Sequence, residues 1–128
     1  VLIVGDLNGC RLMVLRNQAV VARQRLPNGF ALLTDQMMWF HTSDAGGSWS
    51  SRPFGDAVRK VLPDTGKNED LLAGPAVMTD DSWDIVVAVH AEGNLVRRAL
   101  LRTPDAGATF SRVADLPTTG LVWLAGNK

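Results

Sequence analysis

The sequence predicts an all-β fold assembled from repeated four-stranded units, and three observations carry that expectation. The apolar segments are short and rich in Val, Leu and Ile, with turn residues between them at regular intervals. Almost no stretch shows the apolar spacing of an amphipathic helix. One octapeptide pattern occurs twice, each time between strand-like runs. Internal repetition of this kind is the mark of architectures built by stacking one small unit.

The elements follow in order. Val1–Asp6 reads as a strand and Leu7-Asn8-Gly9 as its turn, since Asn-Gly is a strong hairpin signal. Arg11–Arg16 is a second strand, Asn17-Gln18 a short turn, and Ala19–Leu26 a third strand. Pro27-Asn28-Gly29 closes that unit. Phe30–Thr34 and Met37–Thr42 form the next hairpin. Phe54–Leu72 is polar, with Pro63, Gly66 and clustered charges, and predicts a long loop with one helical turn at Asp56–Val61. Strands resume at Gly74–Thr79, Trp83–His90, Leu95–Thr103, Thr109–Leu116 and Leu121–Ala125. The expected units are therefore about 1–29, 30–72 and 73–120, with a further one starting at 121–128.

The repeated octapeptides are Thr42-Ser43-Asp44-Ala45-Gly46-Gly47-Ser48-Trp49 and Thr103-Pro104-Asp105-Ala106-Gly107-Ala108-Thr109-Phe110, which start 61 residues apart. Without the polar loop, that spacing approaches one four-stranded propeller blade of about 40–50 residues. Each position has a folding role. The carboxylates of Asp44 and Asp105 can accept bonds from turn N–H groups. Gly46 and Gly107 permit a positive φ. Hydroxyls at Thr42, Ser48, Thr103 and Thr109 add local bonds, and Trp49 and Phe110 pack the turn onto its sheet.

This pattern resembles the Asp-box, or BNR, repeat of sialidase-like β-propellers, a family that also holds sortilin-type receptor domains and photosystem assembly factors. The resemblance is motif-specific at the two octapeptides and architectural elsewhere. It implies an Asp-box β-propeller segment of about two to three four-stranded blades. It also implies that each box joins the third and fourth strands of a blade, on the rim and away from the ligand-binding centre. A propeller closes with about four to eight blades. The ring would then be completed by the rest of a longer chain or by other copies of this one, unless the boxes serve another all-β architecture. The missing initiator Met and the strand cut short after Gly126-Asn127 favour the longer chain.

Composition narrows the partners. Thirteen basic and thirteen acidic residues cancel, so no basic field favours a nucleic acid. No apolar run approaches the roughly 20 residues that span a bilayer. The single cysteine, Cys10, forms no internal disulfide; it reads as a small buried strand residue, with a reactive thiol as the alternative. The compartment stays open, secreted and cell-surface locations included.

The sequence assigns no catalytic set and no cofactor. The sialidase mechanism to which the resemblance points uses a tyrosine nucleophile, and this chain contains no tyrosine. The first-blade Arg-Ile-Pro signature is also missing; Arg52-Pro53 follows a box instead. Asp6, Asp35, Asp80, Asp81, Asp84 and Glu92 are the carboxylates available to a two-acid glycosidase, yet their spacing specifies no pair, and solvated turns account for them. His41 and His90 lack a third ligand at metal spacing, so no metal is expected. Asp80-Asp81 lacks the rest of a calcium loop.

Trp39, Trp83 and Trp123 suit packing between sheets, with a sugar-stacking platform as the alternative. In Met37–Phe40 both faces are apolar, as a strand between two stacked sheets requires. Arg97-Arg98 puts one guanidinium on each face of its strand, at a surface or as a carboxylate clamp. The expected function is a non-catalytic binding or scaffold module that recognises a glycan or a protein. The alternative is part of a sialidase-like glycoside hydrolase whose catalytic residues lie largely elsewhere.

Overall fold

A computed structural model describes residues 2–4, 13–15, 20–26, 29–63, 66, 68–79, 81–120 and 124. The strands are β1 (Leu2–Val4), β2 (Met13–Leu15), β3 (Val20–Leu26), β4 (Gly29–Thr34), β5 (Met38–Thr42), β6 (Ser50–Pro53), β7 (Glu69–Thr79), β8 (Ser82–Ala91), β9 (Asn94–Thr103) and β10 (Ser111–Leu116). Among the described residues one helix, α1 (Gly55–Val61), lies between β6 and β7. The strands β3-β4-β5-β6 form one antiparallel sheet in chain order, and β7-β8-β9-β10 form a second; β1 and β2 pair separately. The architecture is all-β, with two four-stranded meanders in succession, consistent with a propeller segment.

The two sheets bury a shared core. Leu33, Met37 and partly buried Trp39 from the first meet Trp83, Ile85, Val87, Ala99 and Leu101 from the second. The alternation in β5 works as its sequence requires, with Trp39 in this core and Phe40 and Met38 in a smaller cluster with Leu32.

Four elements differ from expectation. The segment expected as a long loop contains the helix α1 and the first four residues of β7. Phe54, Val58 and Leu62 recur at helical spacing and are all buried, so α1 presents an apolar stripe that the surrounding charges concealed. β7 starts at Glu69 rather than Gly74, with a register shift between Ala73 and Ala76 that accommodates Gly74-Pro75. β6 has the polar sequence SSRP and no apolar signal of its own; it forms because the preceding turn folds it back onto β5, pairing His41 with Ser50 and Met38 with Pro53. The expected unit 1–29 contains β3, yet β3 pairs with β4 from Val20↔Thr34 to Leu26↔Gly29 and opens the first four-stranded sheet. The Asn8-Gly9 and Asn17-Gln18 turns, Cys10, Trp123 and most of the expected Leu121–Ala125 strand lie outside the described residues.

Candidate functional site

The two octapeptides occupy equivalent places, the β5–β6 and β9–β10 turns, between the third and fourth strands of their sheets. The four bonds they share agree to about 0.1 Å. Thr42 Oγ1 donates to Asp44 Oδ1 at 2.9 Å and accepts from Gly46 N–H at 2.9 Å. Asp44 also accepts from Ser48 N–H at 2.8 Å and from the Ser48 hydroxyl at 2.6 Å. Thr103, Asp105, Gly107 and Thr109 repeat this set at 2.8, 3.0, 2.8 and 2.6 Å. Both central turn residues are left-handed in each copy: Ala45 and Gly46 at φ 58° and 85°, Ala106 and Gly107 at 55° and 89°. The sequence signalled the glycine but not the alanine before it. The terminal aromatics diverge, since Phe110 enters the inter-sheet core while Trp49 packs on the Leu32–Phe40 cluster.

These bonds hold the carboxyls of Asp44 and Asp105 at about 2, below the ordinary 3.8; the largest cause is the hydroxyl of Ser48 or Thr109, followed by that residue's N–H and the threonine hydroxyl. A depressed carboxyl pKa adds stability that is complete above about 3.8 and lost as pH falls through about 2. Asp44→Asn/Asp105→Asn is expected to be less stable at neutral pH and to lose less stability on acidification. Denaturant midpoints between about pH 5 and pH 2 measure this, and an unchanged acid slope would contradict it.

The other polar candidates do not converge on one another. Asp84 is paired with Arg102 at 2.7 Å, and Asp35 and Asp81 use their carbonyls to hold Ala73 and Ala106. Glu92 lies in the β8–β9 turn, and Asp6 and Asp80 lie outside the described residues. Arg97 reaches Glu69 at 3.3 Å, while Arg98, on the other face, donates to the carbonyls of Pro117, Thr119 and Gly120. His41 stacks on Trp39 with centroids 5.2 Å apart, and Arg52 lies 5.1 Å over the same indole. Among the described residues, no three potential metal ligands cluster, and none of their helices is long and apolar enough to cross a membrane.

One cleft gathers groups that the sequence left dispersed. It has a volume of about 550 Å³ and is lined by the β4–β5 turn (Gln36, Met37), the start of α1 (Gly55, Arg59), the start of β7 (Asp70, Leu71, Leu72), and His90 and Gly93. Because strands alternate in direction, the β4–β5 turn and the β8–β9 end lie away from each sheet's own box. Arg59 and Asp70 are exposed, and neither forms an ion pair among the described residues. His90 faces Asp70 across the β7–β8 ladder, and its Nδ1 is buried without a hydrogen-bond partner among the described residues. Met37, Leu71 and Leu72 supply apolar wall. Of the polar groups in this lining the sequence singles out only His90; the helical spacing of Phe54, Val58 and Leu62 is the signal that brings Arg59 forward.

Comparison with known proteins adds one likeness. No family model matches the chain, and no curated protein matches it. The solved structure of YCF48 from Cyanidioschyzon merolae is similar at 22% identity and a TM-score of 0.41. The match covers 79% of this chain and 28% of that one.

Proposed function

We propose that the chain is a non-catalytic binding or scaffold module of Asp-box propeller type, and that the Arg59–Asp70–His90 cleft is its ligand seat. The observation that carries this reading is the cleft's lining: a cation, an anion and a buried imidazole nitrogen, each without a partner among the described residues, around apolar wall. Pockets that combine apolar surface with a few convergent polar groups are the usual seats of ligands. The boxes belong to folding, because their polar atoms are consumed in their own turns. A two-carboxylate glycosidase needs its acids about 5–10 Å apart on either side of a bond, whereas Asp70 is the only carboxylate among the described residues lining the cleft. The ligand on this reading is a glycan or a protein.

The full-length protein tested on a glycan array, on peptide arrays and against aryl glycosides decides between classes. Binding without turnover is expected. Arg59→Ala or Asp70→Ala is expected to weaken that binding about tenfold, the equivalent of one charge-assisted hydrogen bond, at unchanged melting temperature. Turnover of a glycoside, or binding indifferent to both substitutions, would overturn the assignment.

A further inference from the structure

Asp70, Leu71 and Leu72 of the edge strand β7 line the cleft, and among the described residues the backbone there has one unused rung. In an antiparallel ladder, alternate residues direct both backbone groups at the partner strand or both away from it. β7 has β8 on one side only. Glu69 N–H points off the free edge, where it donates to Gly66 O at 3.2 Å, and Ala73 N–H does the same to Asp35 O at 3.0 Å. Leu71 lies midway between them and shares their parity, so its N–H and C=O also leave the sheet by the free edge. Among the described residues, neither group has a partner. The chain has closed the rungs on both sides and left this one open to a cleft.

An open N–H beside an open C=O is the complement of one extended peptide residue, which can accept from the first and donate to the second. Exposed strand edges elsewhere in proteins are commonly blocked; here the blocking bonds stop on either side of the cleft. The surrounding groups suit the neighbours of such a residue. Arg59 can take an acidic side chain, Asp70 a basic one, and Leu72 and Met37 offer apolar contact. Among the described residues no ring of Trp or Phe lines the cleft, and a sugar ring favours such a stacking surface.

We propose that the cleft binds an extended peptide segment by strand addition at Leu71, with Arg59 and Asp70 reading opposite charges on either side. This inference rests on the cleft being a ligand seat, and it narrows the ligand to a polypeptide. The experiment titrates the full-length protein with two blocked tripeptides, acetyl-Glu-Leu-Lys-amide and acetyl-Lys-Leu-Glu-amide, covering both orders of the two charges on an antiparallel strand, and follows the Leu71 amide by NMR and hydrogen exchange. The expected result is a shifted and more slowly exchanging Leu71 amide with one of the two. Methylating the central peptide nitrogen should then weaken binding roughly tenfold, as loss of one hydrogen bond requires. The substitution Leu71→Pro, which removes an outward N–H that the β7–β8 ladder does not use, should weaken it similarly.

Binding that leaves the Leu71 amide unchanged, or that tolerates the methylated peptide, overturns strand addition while leaving the cleft a ligand seat. Glycan binding sensitive to Arg59→Ala, with no response to either peptide, overturns the polypeptide assignment alone. Absence of any ligand sensitive to Arg59→Ala or Asp70→Ala overturns both readings.

Discussion

Replacing Trp83 with alanine is expected to destabilise the protein by about 3–5 kcal/mol, the range for deleting a large buried aromatic. Trp83 is 1% exposed at the centre of the inter-sheet core. Its ring meets Phe54 edge-on at 5.4 Å, and Phe110 and Trp39 at 6.4 Å. Those partners come from the segment before α1, the second box and the first sheet, so the cavity would open where three parts of the chain join. Trp83→Phe should cost much less than Trp83→Ala. It keeps one ring and removes the indole Nε1, which is buried without a partner and therefore carries its desolvation cost uncompensated. Denaturant unfolding of both variants measures the difference. Equal losses would show that the indole N–H is satisfied in the native protein.

Gly107→Ala is expected to cost roughly 2–4 kcal/mol, combining left-handed backbone strain with overpacking. Gly107 has φ +89°, and a Cβ there would stand 2.9 Å from Trp83 Cζ3 and 3.1 Å from Phe54 Cβ. Gly93 provides the control, because it has φ +81° and no atom within 4 Å of its added Cβ. Gly93→Ala should therefore show the backbone strain alone, about 1 kcal/mol. The two contributions are separable in a double-mutant cycle. On a Trp83→Ala background the contact with the indole is gone and only the 3.1 Å approach to Phe54 Cβ remains, so Gly107→Ala should cost less than in the native protein, though still more than Gly93→Ala. Strict additivity would place the penalty in the turn and not in the core.

The expected fold class was legible because its signals are local. β8 and β9 are runs of Val, Ile and Leu, and their ends fall within a residue of the Trp83–His90 and Leu95–Thr103 readings. The two box turns were legible for the same reason, since all of their partners lie within four residues. β6 was invisible because its four residues carry no apolar preference and owe their conformation to pairing with β5. α1 was underestimated because Arg59, Lys60 and Asp56 dominate its composition while its buried stripe extends beyond the helix to Phe54 and Leu62. The cleft was not legible at all. Arg59, Asp70 and His90 stand on three elements whose convergence depends on how the sheets pack, and the open rung at Leu71 is a matter of backbone parity that no side chain announces.

The peptide of Ala106 sits at a junction. Its N–H donates to Asp81 O in the β7–β8 turn at 2.7 Å, and its carbonyl accepts from Arg52 Nη2 on the first sheet. A turn that closes one repeat is thus also the mooring point of the repeat before it. In a linear array each unit's stability includes a term for its neighbour, and here that term is wired into the same residues that shape the hairpin. The two meanders are therefore coupled: fraying of the second box frees the guanidinium that lies over Trp39, and part of the disturbance passes down the row as cooperativity.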